Sequence, residues 1–291
     1  MLREPVNIFG MASTALRGAL WMLGAVLSFS VMAVSVRELL ARMEAFEVLF
    51  WRVGAALVLM LLVLPRTGLA PLRTRRIGLH FTRNAFHFFA QLAWIYAIGA
   101  LPFATVFAIE FVFPVWVALL AMLVLGERMN RGRVVMLVLG LAGVLVILRP
   151  GFAFIHPAAF VMLAGSLGFA VNAVTTKQLS RSDSTTAIIF WMLVMQTPPA
   201  LIAAAPRWVA PQLADLPWIC ALGLCNVSAH LCLTRALRLA DASLVVPIDF
   251  LRLPLIALIG ALFYGEPLQA AVFIGAAMIF AGSYYSLSRE R

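Results

Sequence analysis

One stretch of this sequence occurs twice, and the copies lie in opposite halves of the chain. Residues 97–129 read AIGALPFATVFAIEFVFPVWVALLAMLVLGERM, and residues 236–268 read ALRLADASLVVPIDFLRLPLIALIGALFYGEPL. Each runs from a short polar break into an apolar helix with a single acid, Glu110 or Asp249. Each then passes a Phe and a Pro, Pro114 or Pro254, and closes on Gly-Glu, Gly126-Glu127 or Gly265-Glu266. The offset of about 139 residues marks a duplication of half the chain. It extends outward: Phe29, Ala33, Val34, Arg37 and Leu39 match Phe169, Ala173, Val174, Lys177 and Leu179, and Phe50-Trp51 matches Phe190-Trp191.

The copies are too apolar for water. Hydrophobic residues make up 64% of the chain and charged ones 12%, whereas soluble domains are about half apolar. In lipid the backbone must satisfy its own hydrogen bonds, which leaves helices. At about 20 apolar residues per span, the segments are 15–40, 46–64, 77–99, 102–125, 134–148, 158–179, 185–205, 216–239, 244–264 and 268–287. The expected fold is therefore an all-α polytopic membrane protein of ten transmembrane helices. Its divisions are a tail at 1–14, a first five-helix repeat at 15–149, and a second at 150–291 with a short C-terminal tail.

Five spans is an odd number, so the two halves face opposite ways across the bilayer. Inverted repeats of this kind build many secondary transporters, with the substrate near the midplane between the halves. The net charge of +10 does not indicate nucleic acid, because Lys and Arg fall between the apolar runs. About 15 of them collect on one side and 4 on the other, which places both termini in the cytoplasm by the positive-inside rule. Residues before Arg17 are too polar for a signal-peptide core, so the first helix is expected to be retained. Cys220, Cys225 and Cys232 share one apolar helix and read as packing residues. No metal spacing is present, and neither metal nor cofactor is expected.

An ionisable group inside a membrane helix is a functional candidate, because it needs a partner or water. Arg52, Arg83, His87, Glu110, His230, Asp249 and Arg252 are such groups. On the third segment Arg83, His87, Gln91 and Trp94 share one helical face. His87 and Gln91 map by the repeat onto Asn226 and His230 of the eighth, a symmetry that suits a polar substrate between the halves. Packed polar residues can also satisfy one another. Arg252 lies one turn from Asp249 and could neutralise it. Glu110 has no basic residue in its own helix and needs a proton or a partner elsewhere, such as Arg83 or Arg52. Asn172 could add a hydrogen bond. The expected substrate-binding set is thus His87, Gln91, Trp94, Glu110, Asn172, Asn226, His230, Asp249 and Arg252. Pro114 and Pro254 are hinge candidates, and Glu110, His87 and His230 are candidates for proton coupling.

Ten short spans in two repeats, each with a Pro-containing helix followed by Gly-Glu, resemble the drug/metabolite transporter superfamily and its EamA-type members. Among these the sequence is similar to the YddG-type exporters of aromatic amino acids. The resemblance implies a basket-like fold, a cavity lined by the third, fourth, eighth and ninth helices, and export. Many members carry a polar or acidic residue directly before the helix-four proline; here it is Phe113, so that role does not transfer.

The expected function is a secondary transporter of the bacterial inner membrane exporting small organic solutes, aromatic amino acids favoured, by alternating access. The partners implied are the substrate and the lipid bilayer, with the protein a monomer. An intramembrane lipid or prenyl-group transferase is the alternative; it would want HExxH or clustered acids, and neither occurs. Nor does the GxxxxGK[ST] loop of nucleotide-driven pumps.

Overall fold

The computed structural model describes residues 8–67, 72–125, 130–149, 155–239 and 248–289. Every element among them is helical: α1 (Ile8–Leu40), α2 (Ala45–Thr67), α3 (Ile77–Ala100), α4 (Phe103–Glu110), α5 (Phe113–Leu125), α6 (Arg131–Leu148), α7 (Pro157–Leu179), α8 (Thr185–Ala204), α9 (Leu216–Leu239), α10 (Arg252–Tyr264) and α11 (Ala270–Arg289). Helix α1 begins before the expected Ala15. Gly126, Glu127 and the expected start of the ninth span at Leu244 lie outside the described residues.

Local chemistry sets several ends. Asn130 accepts from the Arg133 amide at 2.8 Å and starts α6, and Ser184 accepts from the Ala187 amide at 3.0 Å and starts α8. Helix α7 opens with Pro157, a position where no amide hydrogen is needed. Helix α10 stops at Gly265, whose φ of 63° lets the Glu266 amide return to the Gly260 carbonyl at 3.0 Å.

Eight helical stretches are long and apolar enough to cross a membrane, α4 and α5 counting as one. Helices α3 and α10 are not among them. Helix α3 buries His80, Arg83, Asn84, His87 and Gln91 along one face, and α10, with 13 residues, is the described part of the ninth span. Each keeps an exposed apolar face, Phe81 and Phe89 on α3 and Leu262 and Phe263 on α10, while the polar side chains of α3 turn inward, where they are tolerated.

The helices pair across the halves by a single rule. α1 packs along α9 and α3 along α7, which are first-on-third and third-on-first in the two repeats. α2 packs on α8 and α6 on α11, each on its own counterpart, and α4 of the fourth span packs on α10 of the ninth. This reciprocity is the signature of a pseudo-two-fold axis lying between inverted halves. Small residues allow the closest approaches: a Cβ on Gly143 would lie 2.6 Å from the Gly275 carbonyl oxygen, and one on Gly168 would lie 3.0 Å from the Ala90 Cβ.

Candidate functional site

Both duplicated helices are interrupted at the acid. Glu110 is the last residue of α4, and Phe111–Val112 form a turn before α5; Asp249 is followed by the turn Phe250–Leu251 before α10. A proline cannot donate to the carbonyl four residues before it. Pro114 therefore releases the Glu110 carbonyl and Pro254 that of Phe250, and each break falls one turn before its proline. The continuous fourth helix expected over 102–125 is in fact two, and the carboxylates stand at the joints. Glu110 lies about 10 Å into the helix from Phe103 at 1.5 Å per residue.

Arg252 joins the two joints. Its Nη1 lies 3.2 Å from Glu110 Oε1 and its Nη2 3.2 Å from Asp249 Oδ2. The partner of Glu110 is thus Arg252 of the other half, not Arg83 or Arg52. The guanidinium also sits over Phe29, Phe107 and Phe111 at 4.8, 5.1 and 5.1 Å from the ring centroids. Phe111 and Phe250, equivalent by the repeat, stack with centroids 4.2 Å apart and planes 16° from parallel. Trp94 extends the array: its Nε1 donates to Glu110 Oε2 at 2.8 Å, its ring meets Phe107 edge-on at 6.2 Å, and the Arg52 guanidinium lies 5.3 Å over it.

A second network fills the space between α3, α7 and α8. Gln91 donates to Gln196 Oε1 at 2.6 Å, and both glutamine side-chain amides lie 3.2 Å from His87 Nδ1. Arg83 donates to Thr176 Oγ1 at 2.6 Å and to Asn84 Oδ1 at 2.9 Å. On the opposite side of the axis Arg52 Nε donates to Asn226 Oδ1 at 3.4 Å, and His230 meets the Phe29 ring at 6.0 Å.

The expected residues therefore fall into groups. Trp94, Glu110, Asp249 and Arg252 form one contiguous array; His87 and Gln91 bond each other in the α3 network; Asn226 and His230 lie across the axis. Asn172, on α7, keeps its Oδ1 buried without a hydrogen-bond partner. His87, Gln91, Trp94, Asn226 and Arg252 are each 5% exposed or less, whereas Glu110, Asn172, His230 and Asp249 are half-buried. Gln196, Asn84, Thr176, Phe29 and Phe107 belong to these networks and were not singled out from sequence. The repeat gives no signal for the two polar residues from the second half, because Gln196 answers to Ala56 and Thr176 to Val36.

Near the face where α1 ends, Glu266 accepts from the Phe103 amide at 2.7 Å, which caps α4, and from Arg37 Nη1 at 2.9 Å. Arg37 also donates to the Leu101 carbonyl at 2.8 Å and lies 4.3 Å over the Phe103 ring. The Gly-Glu motif of the second half thus clamps α1, α4 and α10 together.

The sequence pattern of the EamA-like transporter family matches this chain twice, over residues 16–149 and 156–288. A riboflavin transporter of Rhizobium johnstonii is 32% identical, the match covering 96% of this chain and 93% of that one. An S-adenosylmethionine uptake transporter of Rickettsia prowazekii is 24% identical over 96% and 95% of the two chains. A pseudopaline exporter of Pseudomonas aeruginosa is 27% identical over 91% and 93%. One solved crystal structure superimposes with a TM-score of 0.66 over 96% of this chain and 98% of its own, at 18% identity, and so shares the fold.

Proposed function

We propose, since this chain belongs to the EamA-like transporter family, that it carries small metabolites that join a planar ring to polar or charged groups. It is a multi-pass membrane protein and a secondary transporter of small organic solutes, not an enzyme. The substrate class is the further step. The single observation behind it is the array at the paired helix breaks, where Phe29, Phe107, Phe111 and Trp94 surround the Glu110–Arg252–Asp249 ion pairs. Aromatic faces accept a flat ring by offset or edge contact, and a cation between two carboxylates can exchange partners with a charged substrate group.

Aromatic amino acids, the expectation from sequence, fit this class, and so do ring-bearing metabolites such as riboflavin and S-adenosylmethionine, which relatives are named for. Relatives include both an uptake transporter and an exporter, so direction is read here as following the gradient, with net export the case when the solute is made inside. The proposed orientation has both termini in the cytoplasm, on the Lys/Arg-rich side. Rocking of the halves about the Pro114 and Pro254 joints would expose the array to each side in turn.

Purified protein in liposomes, loaded with tryptophan, phenylalanine, riboflavin or S-adenosylmethionine and assayed with and without a pH gradient, tests this. Saturable flux of a ring-bearing solute is expected. His87→Ala and His230→Ala should lower it while the protein stays folded. Flux of none of the four by well-folded protein would refute the substrate class.

A further inference from the structure

A buried guanidinium in this protein makes no contact ion pair, the Glu110 carboxylate acting on it only from a distance. Arg52 of α2 is 3% exposed. Its Nε has one long hydrogen bond, 3.4 Å to Asn226, its plane lies over Trp94, and its Nη1 is fully buried with no hydrogen-bond partner. Among the described residues no carboxylate comes within ion-pair distance of it. The other two deep arginines differ. Arg252 holds two carboxylates, and Arg83 donates to two side-chain oxygens.

A cation in a membrane helix costs about 2.5 to 3.5 kcal/mol even on the lenient insertion scales, and a buried charge without its partner costs more than a completed pair. Three guanidinium groups and two carboxylates share this interior, so one positive charge is left over. A guanidinium never loses its proton at working pH. It can only be satisfied by an acceptor that arrives from outside, and its planar fork matches an oxyanion.

We infer that Arg52 is the anchor for an oxyanion of the transported solute, a carboxylate or phosphate carried by a planar ring. This deepens the transport reading above and rests on it for the ring. Asn226 orients the guanidinium from α9, and Trp94 holds its other face from α3. The indole N–H of Trp94 is bound to Glu110, so the anion site and the acid site share one ring. A zwitterionic solute would place its anionic end at Arg52 and its cationic end toward Glu110 and Asp249. Arg52 was among the ionisable residues noticed in the sequence, but its repeat counterpart is Met192, so symmetry did not mark it.

The test is binding rather than flux, so that it stands apart from the transport assay. Full-length protein in detergent is titrated with indole-3-acetate, phenyl phosphate and the uncharged control indole-3-acetamide, with thermal stabilisation as the readout. Wild type should bind one or both anions more tightly than the amide by about ten- to hundredfold. The anion that wins decides between carboxylate and phosphate. Arg52→Gln should remove that preference while leaving amide binding in place. Arg52→Lys, which keeps the charge but not the fork, should retain part of it and serves if the Gln variant does not fold. Equal binding of anion and amide by wild type, or an unchanged preference in a folded variant, would overturn the inference. Arg52-dependent anion binding without flux of any ring-bearing solute would instead sink the transport reading and leave this one standing.

Discussion

Phe111 and Phe250 lie face to face with centroids 4.2 Å apart, and they are the same residue of the two repeats. A residue can stack on its own counterpart only close to the pseudo-two-fold axis, so this pair marks where the axis crosses the protein. Each ring follows its carboxylate, Glu110 or Asp249, and each sits in the turn that breaks its helix. The axis therefore passes through the layer that holds both helix breaks and the Glu110–Arg252–Asp249 charges.

Truncating either ring should loosen the contact between halves. Phe111→Ala and Phe250→Ala are expected to show a coupling of about 1 kcal/mol in a double-mutant cycle, read by unfolding in detergent. Phe111→Ala should cost more, because Phe111 is 5% exposed where Phe250 is half-buried, and because it also removes a face from Arg252. Additive losses would place the rings in independent environments.

Among the described residues Arg252 alone pairs with both acids, and its removal should hurt more than that of either partner. Arg252→Gln leaves two carboxylates without their cation and is expected to cost about 3 kcal/mol. Glu110→Gln leaves Arg252 paired with Asp249 at 3.2 Å and should cost less. Combining the two should destabilise by less than the sum, since the second change removes a charge that the first left stranded. Melting temperatures of the three variants in one detergent check the order.

The α6–α11 seam has no room for a side chain. A Cβ on Gly143 would lie 2.6 Å from the Gly275 oxygen and 2.7 Å from Ile279 Cγ1, so the helices must separate. Gly143→Ala is expected to cost about 1 to 3 kcal/mol, and Gly143→Leu to prevent a monodisperse product. Gly78→Ala, where nothing lies within 4 Å, should be harmless. Size-exclusion profiles and melting curves of the three separate seam packing from a general effect of glycine replacement.

Much of this architecture was legible because lipid leaves few options. Long apolar runs must be helices, and a duplication with an odd number of spans must invert, so the fold followed from counting. The acids were legible too, since Glu110 and Asp249 each stand alone in an apolar run. Their partner was legible only in part. Arg252 sits one turn from Asp249 and could be paired with it from spacing, but its reach to Glu110 depends on how the halves meet. Gln196 and Asn84 were invisible for the same reason: a single amide in a helix looks like any other until the register across α3 and α8 is known. Pro114 and Pro254 are legible as hinges, yet the chain turns one residue after each acid, because what fails is the hydrogen bond to a carbonyl one turn upstream.

On the opposite side of the protein from the Arg37 clamp, His80 Nε2 and Asp183 Oδ2 are 2.8 Å apart, tying the start of α3 to the link between α7 and α8. Burial alone would raise the pKa of the Asp183 carboxyl, but hydrogen bonds from Thr74, His80 and Ser182 outweigh it and hold the carboxyl below the usual carboxylate value. A depressed carboxylate stabilises the fold at every pH above its unfolded value of about 3.9, and the contribution is lost as pH falls through the lower, folded value. Wild type should therefore melt above Asp183→Asn at neutral pH by a constant margin. That margin should hold down to about pH 4 and close at lower pH. A margin that already narrowed well above pH 4 would overturn the assignment of this pH dependence to the Asp183 carboxyl.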